Sequence, residues 1–157
     1  MKHPDSMDHS EFAASIFDKY AEGYQSRFMD ISAYHESLDV WLAAISVKAA
    51  KVLEVACGPG NVTRYLLEKR PDLQILGTDL SPNMLALAQA NNPTADFKLL
   101  DGRAILQLPR QFDAIVAAFF LPYISREEAL RFIQDAAAKL ETGGVLYIST
   151  MEDDYAK

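Results

Sequence analysis

From Lys51 onward, apolar runs alternate with amphipathic stretches. The runs near 51–56, 73–79, 95–100, 112–118 and 145–150 predict strands. Each is nearly continuous in its apolar character, as expected of strands covered on both faces. Helical patterns fall between them, near 61–70, 82–91 and 125–140. Ser81-Pro82 offers a helix N-cap with proline at the first helical position. Ser125, with Glu128 three residues later, forms a capping-box pattern ahead of Ala129, Leu130, Phe132 and Ile133. Gly143-Gly144 predicts the end of that helix and a turn into Val145-Leu146-Tyr147-Ile148. Before Lys51 there is no strand pattern. Phe12, Ile16 and Phe17, and then Leu38, Trp41, Leu42 and Ile45, carry helical spacing instead. The order predicts an α/β fold: a three-layer sandwich with a mostly parallel sheet and right-handed crossovers. A helical lead-in or cap covers residues 1–50, and the sheet domain covers 51–157, ending after strand five.

One strand carries a charge where charges are costly. Val52-Leu53-Glu54-Val55-Ala56-Cys57-Gly58-Pro59-Gly60 sets a carboxylate inside an apolar strand and follows it with a glycine turn. A buried carboxylate needs a partner, and glycine lets backbone approach a ligand closely. A second carboxylate, Asp79, closes the next strand. Together they predict a pocket for a nucleoside-bearing cofactor at the carboxyl ends of parallel strands. A phosphate loop of the Walker type needs lysine and a hydroxyl residue after its last glycine, but Asn61-Val62 follow Gly60. A dinucleotide fingerprint needs a third glycine where Thr63 stands. S-adenosylmethionine carries no phosphate and makes neither demand.

Composition narrows the rest. The chain has 157 residues, enough for one layered core, and half of them are hydrophobic. A net charge of −7 argues against general attraction to nucleic acid or an anionic membrane. The single cysteine, Cys57, allows no intrachain disulfide and no cysteine-based metal site. It reads as a small buried side chain rather than a nucleophile. No signal-peptide pattern opens the chain, and a cytoplasmic setting is expected. His3, His9 and His35 lack metal-ligand spacing, and Glu152-Asp153-Asp154 reads as a solvated chain end, so no metal is expected.

Five segments, taken in order, resemble the class I S-adenosylmethionine-dependent methyltransferases of the small-molecule type. These are Val52 to Gly60, Gly77 to Met84, Phe97 to Gly102, Phe112 to Ala118 and Leu140 to Leu146. Phe17 to Tyr24 is similar to the family's lead-in helix. The resemblance implies that Glu54 meets the methionine ammonium, and that Ala56, Gly58 and Gly60 pass close to methionine and ribose. It implies that Asp79 takes the ribose hydroxyls, that Leu80 and Met84 cover adenine, and that Asp101 and the Gly102 N–H meet the adenine edge. Ala117 and Phe119 would line the floor. Tyr20 and Tyr24 would either close the pocket or pack the lead-in onto the sheet. Tyr123 follows strand four, where relatives place substrate-facing residues; it is a candidate general base, with His35 as another, or a packing aromatic. The implied reaction is methyl transfer to a small-molecule nucleophile. A binding module without turnover and a nicotinamide-dependent oxidoreductase are the alternatives, and a homodimer is possible. Two departures are noted, Ala56 for glycine and Thr142 for proline. The family's sheet continues past strand five in an antiparallel hairpin, so the chain is expected to be a fragment truncated at its carboxyl end.

Overall fold

A computed structural model of the chain describes residues 9–21, 31–118 and 120–150. Five strands form one sheet: β1 (Lys51–Val55), β2 (Gln74–Asp79), β3 (Asp96–Leu99), β4 (Phe112–Ala118) and β5 (Leu140–Ser149). Their order is β3-β2-β1-β4-β5, and every neighbouring pair is parallel. The chain runs outward from β1 to β3 and then returns to lay β4 on the other side of β1. The strand order therefore reverses between β1 and β4, where open α/β sheets form a ligand crevice beyond the carboxyl ends of the strands. The helices are α1 (His9–Lys19), α2 (His35–Ala43), α3 (Asn61–Lys69), α4 (Pro82–Asn91) and α5 (Arg126–Lys139).

Alternation along the strands sorts the core into two layers. Val52, Ala114 and Val116 join Leu38, Trp41, Leu42 and Ile45 of the α2 segment and Val62, Tyr65 and Leu66 of α3 on one face. Leu53, Val55, Ile115 and Ala117 pack with Ile105, Phe132 and Ala136 on the other. The α2 segment thus shares a core with the sheet. It is tied down further by the Trp41 indole N–H, which donates to the Val145 carbonyl at 3.3 Å. The Tyr65 hydroxyl also donates to Asp39 at 2.5 Å.

Both predicted caps form. The Ser81 hydroxyl accepts from the Met84 N–H, and Ser125 and Glu128 complete a reciprocal capping box. The glycine pair behaves differently from its sequence reading. Helix α5 stops at Lys139, and Leu140 already pairs with Phe112 of β4. Gly143, at φ +82°, lies in the irregular stretch where the register shifts before Ala114 meets Val145. The pair serves a bulge inside β5 rather than a helix stop. A 3-10 segment over Gly102–Gln107, which no apolar period announces, connects β3 toward β4. No helix among the described residues is long and apolar enough to cross a membrane.

Candidate active site

The turn after β1 is held in shape by its neighbours. Ala56, Gly58 and Gly60 all take left-handed backbone, at φ +55°, +55° and +84°, and Gly60 caps α3. Asp79 clamps the turn to the start of α4. Its two carboxylate oxygens accept from the Gly58 and Ser81 N–H groups, each at 2.9 Å. From the far end of α4, the Asn91 and Asn92 side-chain amides donate to the carbonyls of Pro59 and Gly60 at 2.9 and 3.0 Å. A loop with this many backbone partners presents its surface to a ligand without having to reorganise.

Glu54 shares the α2/α3 face of the sheet with Val52, one pleat along. It is 2% exposed. The Thr63 hydroxyl, one turn into α3, donates to its Oε1 at 2.9 Å. Burial pushes the Glu54 carboxyl up to about 8; the Thr63 bond opposes this and the nearby Asp79 charge adds to it. Burial also raises Asp79, against the pull of the Ser81, Gly58 and Leu80 N–H groups. The Cys57 thiol is raised well above its usual range by burial and by both carboxylates, so it stays protonated. Two desolvated carboxyls beside one turn form a site that gains from a bound cation.

Both carboxyls open onto one cavity of about 490 Å³. Of the residues anticipated from sequence, Glu54, Ala56, Gly58, Asp79, Leu80, Met84, Gly102 and Tyr123 line it. Gly60 stands behind the wall, against Ala88 and Asn92. Gly102 is packed so closely that an added Cβ would lie 2.5 Å from the Phe120 ring and 2.6 Å from Val55.

Several expectations are corrected. Asp101 is absent from the lining because Arg103 engages it: the guanidinium meets its carboxylate at 2.6–3.1 Å and also reaches Glu128 at 2.8 Å. Ala117 points to the opposite layer, and its neighbour Ala118 lines the cavity, as strand alternation requires. Tyr20 is 59% exposed, beside Lys19, and is not in the lining. His35 stacks on Tyr65 with centroids 4.0 Å apart, likewise outside the lining. Tyr123 does line the cavity, and burial raises its hydroxyl above its ordinary value. Tyr24, Phe119, His3 and Glu152 to Asp154 lie outside the described residues.

Sequence reasoning missed other parts of the site. Ser10, Ala13 and Ala14, one face of α1, form part of the wall. The helix is moored by Asp18, whose carboxylate accepts from the Ser81 hydroxyl at 2.7 Å and the Asn83 N–H at 2.9 Å. These bonds hold the Asp18 carboxyl below its ordinary value. Tyr34, Leu38 and Tyr147 also line the cavity. The Thr63 bond to Glu54 was also missed, though a hydroxyl residue one helical turn beyond Gly60 is a readable signal for it.

Comparison with known proteins agrees with this geometry. Residues 52–144 match the family described as "Methyltransferase domain". The chain is 38% identical over 101 residues to trans-aconitate 2-methyltransferase of Variovorax paradoxus, covering 64% of this chain and 38% of that protein. It is 34% identical over 126 residues to demethylmenaquinone methyltransferase of Thermotoga maritima, covering 76% of this chain and 54% of that one. The chain therefore spans about half, or less, of the length of these curated relatives. Among solved structures it resembles an amino pentose methyltransferase from Micromonospora echinaspora that holds bound SAM. That similarity has a TM-score of 0.69 and 28% identity, and covers 87% of this chain and 57% of the other.

Proposed function

The chain belongs to the methyltransferase-domain family, and from that premise we propose that its cavity holds S-adenosylmethionine and serves methyl transfer to a small-molecule nucleophile. One observation carries the reading. Glu54 and Asp79, both desolvated, flank a single rigid glycine turn and open into the same cavity. The chemistry of the donor set fits the cofactor. Glu54 would accept from the methionine ammonium, a charge-assisted bond that relieves its burial penalty. Asp79 keeps acceptor capacity beyond that used by the Gly58, Ser81 and Leu80 N–H groups, and would accept from the ribose hydroxyls. Leu80 and Met84 supply an apolar surface for adenine, and the close-packed Gly102 would bring its N–H to the adenine edge. Asp101, engaged by Arg103, would act on that edge only indirectly, by fixing the loop.

When bound, the cofactor supplies an already electrophilic methyl on a sulfonium. The protein's task is then alignment and exclusion of water. Ser10, Ala13 and Ala14 of α1 roof the cavity, and Asp18 moors that roof to α4. Tyr123 would orient the acceptor by donating a hydrogen bond. Thr63 bears on the oxidoreductase reading: its side chain fills the helix–strand contact a dinucleotide fingerprint leaves to glycine, and its hydroxyl is committed to Glu54. Calorimetric titration with S-adenosylmethionine and S-adenosylhomocysteine tests the proposal. Saturable binding of both, lost in Glu54→Ala, is expected. An absence of heat with either compound, together with a fluorescence response to NADH, would overturn it.

A further inference from the structure

Beyond the residues given to the cofactor, the cavity is closed by a wall of different chemistry. Tyr34 and Leu38 approach from the α2 side, Tyr147 from β5, and Phe120 and Tyr123 from the loop after β4. The sheet register explains how they meet. Glu54 pairs with Val116, and Val116 pairs with Tyr147, so all three lie level across β1, β4 and β5. Tyr147 is fixed in place: its hydroxyl shares a 2.8 Å hydrogen bond with the Ser37 hydroxyl, and its ring meets Trp41 edge-on with centroids 6.3 Å apart. The acceptor end is thus a preset aromatic surface.

Charge divides the possible acceptors. Among the described residues that line the cavity, the ionisable acids are Glu54 and Asp79, and none is lysine, arginine or histidine. Bound S-adenosylmethionine carries two positive groups and one carboxylate, a single net positive charge set against those two acids. An acceptor bearing carboxylates would lose its hydration beside tyrosine rings and face an uncompensated negative field. A flat uncharged ring would only displace water from the aromatic faces, which is favourable.

We propose that the acceptor is an uncharged, flat, largely apolar molecule seated against Tyr34, Tyr123 and Tyr147, and that polycarboxylates are excluded. The inference rests on the methyltransferase reading and departs from the substrate named for the trans-aconitate relative. With a hydroxyl acceptor such as catechol, the oxygen would gain a bond to the methyl carbon as the carbon–sulfur bond breaks. Sulfur keeps the electron pair, and the hydroxyl proton leaves to water.

The test uses the chain loaded with S-adenosylhomocysteine and titrated with catechol, with protocatechuate (the same ring bearing a carboxylate) and with trans-aconitate. Catechol is expected to bind at least about tenfold more tightly than protocatechuate, and trans-aconitate to give no heat. Tyr34→Arg, at the partly exposed rim, is expected to bring protocatechuate level with or ahead of catechol. Tighter binding of either carboxylated probe to the parent chain, or binding of none of the three, overturns this inference while cofactor binding stands. Loss of S-adenosylhomocysteine binding itself overturns the methyltransferase reading beneath it.

Discussion

The two ends of the cavity are built by different means. At the end proposed for the cofactor, the turn from Ala56 to Gly60 and the corner at Asp79 and Ser81 come from two short stretches, each at the carboxyl end of a strand. Their shape is made largely by backbone: left-handed residues, N–H groups gathered on one carboxylate, and carbonyls held by two asparagines. At the end proposed for the acceptor, Tyr34, Leu38, Tyr123 and Tyr147 come from three distant parts of the chain and meet only through packing and sheet register. A site made of local backbone can be damaged at a single residue. A site made of a side-chain wall depends on the whole fold to assemble.

The largest expected effect follows from Asp79, which both shapes the turn and faces the cavity. In Asp79→Asn, one oxygen becomes an NH2 group, so either the Gly58 or the Ser81 N–H would face another donor. Loss of a charge-assisted acceptor and one unsatisfied buried donor together predict about 100-fold weaker S-adenosylmethionine binding. Stability is expected to fall by about 1–3 kcal/mol. Calorimetry and denaturant melts measure the two separately. Tyr123→Phe, at the other end, is expected to leave cofactor affinity unchanged; if it weakens binding as Asp79→Asn does, the two ends are not separable.

Gly102 is where the ends touch. An alanine Cβ there would press on Phe120, which lines the acceptor wall, and on Val55, at the end of β1. Overpacking of this kind costs about 1–3 kcal/mol, so a lowered melting temperature is expected for Gly102→Ala. The displaced Phe120 is expected to weaken catechol binding more than S-adenosylhomocysteine binding. Equal losses would show that the loop serves both ends alike.

The same division explains what the sequence disclosed. Glu54, the glycine turn and Asp79 were legible because a charge in an apolar strand and a glycine cluster are local anomalies. Ala117 was assigned in place of Ala118 because an apolar run does not show which parity faces the crevice; register against β1 decides that, and register is a tertiary property. Asp101 looked free because its partner Arg103, two residues on, stands in a 3-10 segment with no periodic signature. Tyr147 and Tyr34 were invisible as site residues because no local feature distinguishes a tyrosine that lines a cavity from one that fills a core. The sheet, its crossovers and the helix N-caps followed from periodicity and capping chemistry. The bulge at Gly143 did not, since a glycine pair suits a helix end equally well.

A pH titration sharpens the cofactor end. The Glu54 carboxyl rises from 4.5 to about 8 on folding. Its contribution to stability is therefore full below its unfolded value and is lost as pH climbs toward 8, so the free protein should lose stability over that window. Cofactor binding runs the opposite way, because the ammonium requires the ionised carboxylate. Between pH 6 and 8, affinity for S-adenosylmethionine is expected to improve with rising pH, by at most about tenfold per unit. Below pH 8, binding is expected to release close to one proton, measured by calorimetry in buffers of different ionisation enthalpy. Glu54→Gln should abolish both the slope and the proton release. A flat pH profile in the parent chain would mean that Glu54 does not meet the ammonium.

The smallest expected effect asks whether the turn's shape resides in backbone alone. Ala56 holds a left-handed conformation at φ +55°, where a Cβ crowds the following carbonyl at a cost of about 1 kcal/mol. Glycine would remove that strain but give the unfolded chain more freedom, worth about 0.4–1 kcal/mol in the other direction. Ala56→Gly is therefore expected to change stability by about half a kcal/mol or less, with cofactor affinity unaltered. The methyl of Ala56 also packs at the edge of the Leu53 layer. If the glycine variant loses more than about 1 kcal/mol in a urea melt, that packing outweighs the strain. The cofactor end would then depend on its side chains, as the acceptor end does.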